Sequence, residues 1–318
     1  MTRPSPPAGG GRSPAPAGGS RILPACHDRM SHLHIPERLS LTCHGDPARE
    51  AWLAALPGLV QSVAGRWRLR LGAPFDGEEG SCAWVAPAVR EDGTDAVLKL
   101  AMPHLEAEHE SRALAFWDGD AAVRVLEADE AELAMLLERC VPGTALRARP
   151  EAEQDAVVAG LLQRLWRRPP AGAFRPLAAM LAKWAAETRA DAARWPDAGL
   201  VEAGLALFEM LSRPGEDDVL LATDLHAGNV LAAGREPWLV IDPKPFAGDR
   251  AYDATQHLID CEARLRARPA QVIGAFADAL AIDPERLRLW LFARYAAESR
   301  DDWTEASMAL ARQLGRTI

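Results

Sequence analysis

Apolar and polar residues along the chain change period several times, and the changes mark its organisation. From residue 48 to about residue 63 the apolar Trp52, Leu53, Leu56, Leu59 and Val60 recur at helical spacing. Pro57-Gly58 is expected to break or kink that helix. The next stretch alternates: Trp67, Leu69 and Leu71 share a face, a turn-rich APFDGEEGS segment follows, and Cys82, Trp84 and Val85 resume. A third strand, AVLKL over residues 96–100, comes after the acidic turn Glu91-Asp92-Gly93. Two antiparallel strands joined by a glycine-containing loop, then a strand carrying lysine, predict a β-meander.

Pro103 opens a segment whose acids and apolar Leu105, Leu114, Phe116 and Trp117 predict a helix. Residues 123–126 and 133–138 predict two more strands, the second ending at a Pro142-Gly143 turn. Beyond that turn the pattern is helical over 151–168, 176–194 and 199–211, with a β-rich island over 219–241. Helices then resume to the C-terminus, with Asp283-Pro284 as N-cap and first-turn proline. The pattern predicts an α+β fold with its boundary between Cys140 and Thr144.

Residues 1–29 are rich in Pro, Gly and Ser, with Arg3, Arg12, Arg21 and Arg29 among them. No apolar stretch follows, so they predict a disordered tail rather than a secretory signal. Domain-like patterning starts at Met30. The expected organisation is a tail over 1–29, an N-lobe over 30–140 and a C-lobe over 141–318.

Composition narrows the classes. The 318 residues are 48% hydrophobic and 25% charged, as in an ordinary soluble globular protein. A formal net charge of -9 argues against a general nucleic-acid binder and tolerates a cationic small-molecule partner. No run of about 18 apolar residues is present to cross a membrane. The 5 cysteines form no CxxC pair and no zinc-like spacing, so free thiols in a reducing cytoplasm are expected. Nothing points to an obligatory protein partner.

Scarcity makes some residues informative. Lysine occurs only as Lys99, Lys183 and Lys244, and asparagine only as Asn229. The densest chemistry lies in VLLATDLHAGNVLAAGREPWLVIDPKP, where two short strands flank a loop and Gly234-Arg235 predicts a hairpin turn. That hairpin would bring Asp224 and Asn229 beside Asp242. Phosphoryl transfer needs such a set: a carboxylate to accept the hydroxyl proton, and an amide and a second carboxylate to hold Mg²⁺ against phosphates. Asn229 follows Asp224 by 5 residues, the spacing of the kinase catalytic loop. A lone aspartate in a loop is an ordinary turn residue; the combination with Lys99 upstream carries the assignment.

The island resembles the H-x-D-x-x-x-x-N motif and following I-D-P of aminoglycoside phosphotransferases. TDLHAGNVL, REPWLVIDPKP and GDRAYDATQH are similar to the streptomycin 6-phosphotransferase and hydroxyurea-resistance kinase family, over most of the chain from about His34. The resemblance implies a two-lobed protein-kinase-like fold, with a small β-rich N-lobe and a larger, mainly helical C-lobe. It implies an ATP- and Mg²⁺-dependent kinase for a hydroxyl of a small molecule, with an antibiotic of the streptomycin type, hydroxyurea, or a sugar or other small alcohol as acceptor. The intact Asp224, Asn229, Asp242 and Lys99 weigh against the remaining alternative, a nucleotide-binding pseudokinase. Asp224 would be the catalytic base, Asn229 and Asp242 metal ligands, and Asp249 and Asp253 buttresses of the loop. Where the wider superfamily has histidine, two residues before the catalytic aspartate, this chain has Ala222, so other bonds must orient the loop. His226 either contributes to that or simply packs.

Lys99 is expected to bind the nucleotide phosphates with a glutamate partner among Glu106, Glu108 and Glu110; the family register favours Glu108. The loop 72–81 would cover the phosphates, though GAPFDGEEGS is not a G-x-G-x-x-G motif, and LLERC would be the hinge facing the adenine. Lys244 either reaches a phosphate or pairs with a surface acid. Glu298, Asp301, Asp302 and Glu305 share one face if they lie on one helix, where they would either attract a cationic substrate or form a solvated surface balanced by Arg294 and Arg300.

Overall fold

The computed structural model describes residues 33–76, 82–298 and 303–316. The 1–29 tail, residues 77–81 of the expected phosphate-covering loop, Asp301 and Asp302 lie outside the described residues.

The chain opens with α1 (Glu37–Cys43) and α2 (Pro47–Arg66). Asp46 caps α2 by accepting the Ala48 and Arg49 N–H groups, and Pro47 sits in the first turn, where no intrahelical donor is needed. The helix runs unbroken through Pro57, contrary to the expected break. Trp52, Leu56, Val60 and Val63 bury one continuous stripe, while Pro57 lies on the exposed side, where the carbonyl it leaves unpaired can meet water.

Five strands follow: β1 (Arg70–Leu71), β2 (Ala83–Val89), β3 (Asp95–Ala101), β4 (Val125–Asp129) and β5 (Ala134–Glu138). They form one sheet in the order β1-β2-β3-β5-β4, every neighbour antiparallel. Lys99 sits in mid-sheet, opposite Val85 on β2 and Met135 on β5. Strand period sorts the side chains of β3: Ala96, Leu98 and Leu100 are fully buried, while Val97, Lys99 and Ala101 line a cleft. Between β3 and β4 lies α3 (Glu110–Trp117). It begins later than the Pro103 signal indicates, because His109 is in the left-handed region at φ 69° and interrupts any earlier helical turn.

The remainder is mainly helical: α4 (Glu151–Leu165), α5 (Leu177–Ala190) and α6 (Ala198–Leu211), then α7 (Arg250–Asp253), α8 (Thr255–Asp260), α9 (Glu262–Ala267), α10 (Pro269–Leu280), α11 (Pro284–Ala297) and α12 (Glu305–Leu314). Small residues let α6 and α11 pack closely: a Cβ on Gly204 would come 2.8 Å from the Ala296 Cβ. Asp283 caps α11 through the Glu285 N–H, as the Asp-Pro signal predicts. The β island contributes β6 (Val219–Leu221), β7 (Val230–Ala232), β8 (Trp238–Val240) and β9 (Phe246–Gly248). β7 and β8 form the expected hairpin, and β9, too short to show a period, pairs with β6.

Glu298 and Glu305 do not share the one helix expected to carry the four acids. Helix α11 ends at Ala297, Glu298 is its extended C-cap and pairs with Arg294 at 2.8 Å, and Glu305 opens α12 behind the Thr304 cap. Among the described residues no helix is long and apolar enough to cross a membrane.

Candidate active site

Backbone pairing assembles the site. Val230 pairs with Val240 across the β7–β8 hairpin, and at the next rung the Ile241 N–H donates to the Asn229 carbonyl at 2.9 Å. Asn229 is thereby held one residue from Asp242. The Asn229 side-chain amide donates to the Asp224 carbonyl at 3.0 Å. That bond engages the NH₂ end and leaves Oδ1 as the acceptor end of the side chain.

Lys99 reaches this group from the sheet. Its Nζ lies 2.6 and 2.7 Å from the two Glu110 carboxylate oxygens and 2.5 Å from Asp242 Oδ1. Lys99 and Glu110 are both buried. The partner is therefore Glu110, not Glu108. Glu110 occupies the first turn of α3 facing the sheet, whereas Glu108 precedes the helix, is half exposed, and pairs with Arg175 at 2.9 Å. Lys244 also donates to Asp242 Oδ1 and is buried, so it belongs to the cleft and not to the surface.

Two strained residues flank the loop. Thr223 and Asp242 adopt φ of 51° and 52°, in the left-handed region that non-glycine residues rarely occupy. Each such residue costs about 1–3 kcal/mol and persists where surrounding bonds enforce it. The enforcing bonds at Thr223 are explicit: its N–H donates to Asp253 Oδ1 at 2.6 Å and its hydroxyl to the Lys244 carbonyl at 2.5 Å. Asp253 Oδ2 accepts the Ala222 N–H at 3.1 Å and the Trp166 indole N–H at 3.0 Å. The loop is thus held by its backbone, without a histidine at position 222. His226 adds a second brace, its Nδ1 accepting the Gly228 N–H at 3.1 Å, with Arg147 Nη2 3.1 Å from the same nitrogen. Among the described residues Asp249 makes no hydrogen bond to the loop. It caps α7 and accepts from Arg286 and Trp290, each at 2.6 Å.

Charge follows from burial and neighbours. Burial raises the pKa of Asp224 despite the opposing fields of Lys244 and His226. Burial would likewise raise Asp242, but Lys244 and Lys99 outweigh it and hold the carboxyl well below the usual range. Asp253 is pushed up to about 6 by burial, against the pull of its three N–H donors. Asp224 and Asp242 thus differ in proton affinity within one site, a pattern that marks functional carboxylates.

The cleft has a volume of about 1080 Å³. Its walls include Val85 and Val97 from the sheet and Leu231 and Ile241 from the hairpin, with Cys140, Pro142 and Gly143 along one edge. Two apolar faces beside exposed backbone suit a flat heteroaromatic base. For a metal, Asn229 and Asp242 supply hard oxygen donors. Among the described residues no three His, Cys, Asp or Glu side chains cluster as a metal site. The Asn229 and Asp242 oxygens are a donor pair of the kind Mg²⁺ takes, since that ion commonly binds one or two protein oxygens and completes its shell with phosphates and water. Sequence reasoning missed Arg147 and Arg175; arginine is abundant here, and neither lies in a motif.

Similarity to known proteins identifies the family. The model of the family described as aminoglycoside/hydroxyurea antibiotic resistance kinase matches residues 66–306. A hydroxyurea phosphotransferase of Kitasatospora aureofaciens is 40% identical over 262 residues, covering 79% of this chain and 74% of that protein. A streptomycin 6-kinase of Streptomyces griseus is 34% identical over 294 residues, covering 88% and 94%. Among solved structures, the choline kinase LicA from Streptococcus pneumoniae superposes with a TM-score of 0.55 at 12% identity, covering 83% of this chain and 98% of that one, a likeness of fold. The chain belongs to the aminoglycoside/hydroxyurea antibiotic resistance kinase family and is a small-molecule phosphotransferase with the α+β fold of the protein-kinase-like enzymes.

Proposed function

We propose that the protein transfers the γ-phosphoryl group of ATP, with Mg²⁺, to a hydroxyl of an aminoglycoside of the streptomycin type. The observation that carries this reading is that Asp224, Asn229 and Asp242 line one cleft with the buried Lys99–Glu110 pair, Lys99 bonding Asp242 directly. Residues 30–140 would serve as the nucleotide lobe and 141–318 as the catalytic lobe.

The roles follow from the chemistry. The acceptor hydroxyl oxygen forms a bond to Pγ, the bond from Pγ to the β,γ-bridging oxygen breaks, and its electron pair leaves on ADP. The hydroxyl proton passes to the Asp224 carboxylate, whose raised proton affinity suits a base. Lys99, fixed by Glu110, holds the α- and β-phosphates. Asn229 and Asp242 would hold Mg²⁺, which when bound neutralises charge on the transferring phosphates.

The streptomycin-type acceptor rests on the 34% identical kinase, which aligns over 94% of its length. A cleft of about 1080 Å³ is at the upper end for a single ligand, which suits a nucleotide with a bulky acceptor beside it. Hydroxyurea is the second reading, carried by the 40% identical phosphotransferase. A panel of streptomycin, other aminocyclitols, hydroxyurea and simple sugars with radiolabelled ATP decides. Label transferred to streptomycin with the highest kcat/KM supports the proposal; label confined to hydroxyurea or to sugars rejects the streptomycin assignment.

A further inference from the structure

Two lysines converge on one carboxylate oxygen. Lys99 Nζ and Lys244 Nζ both donate to Asp242 Oδ1. Their other attachments differ. Lys99 also holds both oxygens of Glu110, so it stays anchored if Asp242 is taken away. Among the described residues, the only side-chain hydrogen bond of Lys244 is to Asp242.

The backbone of Lys244 is tied down on both sides. Pro243 and Pro245 flank it, restricting its conformation on both sides. Its N–H donates to the Ala222 carbonyl at 2.7 Å, and its carbonyl accepts the Thr223 hydroxyl at 2.5 Å. The ammonium group is therefore carried on a flexible stem from a fixed point beside the Asp224 loop. It lines the same cleft as Asp224 and Asn229. Lysine is rare in this chain, which uses arginine almost everywhere else, and a compact ammonium suits a site where charge must move between partners.

We infer that Lys244 is a phosphate-binding residue that releases Asp242 when the Mg²⁺-nucleotide enters and donates instead to the transferred phosphoryl group. The inference rests on the kinase reading above. A divalent cation and an ammonium compete for the same carboxylate oxygen, and Lys99 already has a second partner. The displaced Lys244 then meets the only new anion in the cleft, the triphosphate. Its place beside the Asp224 loop sets it at the terminal phosphoryl, where charge spreads over oxygens in the transition state.

The test uses the full chain and Lys244→Gln, with equilibrium binding of ATP and ADP measured by calorimetry in Mg²⁺ and the rate titrated with Mg²⁺. ATP affinity should fall about tenfold more than ADP affinity, the order expected for one lost charge-assisted hydrogen bond. The Mg²⁺ concentration for half-maximal rate should drop, because a competing cation is gone, while kcat falls by roughly 10²-fold or more. Had Lys244 merely held Asp242 in place, ATP and ADP would weaken equally and the Mg²⁺ requirement would rise; that result overturns the inference. Should Lys244→Gln not fold, Lys244→Arg replaces it: retained charge should keep the preference for ATP over ADP, and its loss overturns the assignment. A wild-type protein that binds neither nucleotide would overturn the kinase reading itself, separately from the role of Lys244.

Discussion

Arg175 Nη1 lies 2.9 Å from Glu108 Oε2, tying the segment that enters α5 to the turn that precedes α3. Arg175 also donates to the Leu105 carbonyl and sits over the Phe246 ring at 5.4 Å. Phe246 opens β9, just past the turn that carries Asp242 and Lys244. One arginine thus joins the two chain segments that must be in register for Lys99, Glu110 and Asp242 to meet.

The two glutamates near Lys99 should respond differently to mutation. Glu108 and Arg175 form a half-exposed pair, of a kind worth about 0–1 kcal/mol. Glu108→Gln should leave turnover within a few-fold of wild type. Glu110 is buried against Lys99, and breaking a buried pair costs about 3–5 kcal/mol. Glu110→Gln should lower the melting temperature and reduce kcat/KM at least tenfold. Thermal melts and steady-state kinetics check the ranking, and the reverse order would return the pairing role to Glu108.

Asp253 should behave as the keystone of the loop. Its two carboxylate oxygens accept N–H bonds from Ala222, Thr223 and Trp166. An asparagine has only one acceptor oxygen and turns an NH₂ group towards donors. Each buried polar group left unsatisfied costs about 1–3 kcal/mol. Asp253→Asn should therefore lose at least that much stability in urea unfolding, together with activity. Unchanged stability would show that the loop is held by other bonds.

The pH dependence has a definite sign. Burial raises the proton affinity of Asp224, and only its ionised form can accept the hydroxyl proton. Activity should be full above the raised pKa and fall as pH drops through it, so the acidic limb of kcat lies above the ordinary aspartate pKa of about 3.9. Lys244 pulls that pKa down, so Lys244→Gln should move the limb to higher pH. A profile flat down to the ordinary aspartate value would exclude Asp224 as the titrating base.

The candidate catalytic island was legible in sequence because its geometry is local: a hairpin brings Asn229 beside Asp242 across a short stretch of chain. Lys99 was legible by scarcity and by its place on a strand. The choice between Glu108 and Glu110 was not, because it turns on where α3 begins, and that is set by the left-handed His109 rather than by any periodicity. The unbroken α2 was hidden for a related reason. Whether Pro57 breaks a helix depends on which side of the helix faces solvent. The acidic run from Glu298 to Glu305 read as one face only on the assumption of a continuous helix, and the extended Glu298 ends it. Arg175 acts through contacts far away in sequence, which no single-chain pattern reveals.

The assignment of Asp224 as the base is tested most directly by Asp224→Asn, assayed for both nucleotide binding and phosphoryl transfer. The amide keeps the shape of the side chain but cannot take the hydroxyl proton, and loss of a general base typically lowers turnover by about 10²–10⁴-fold. The account predicts a loss of that size, with the affinity for Mg²⁺-ATP changed by no more than a few-fold. Turnover within a few-fold of wild type would contradict it.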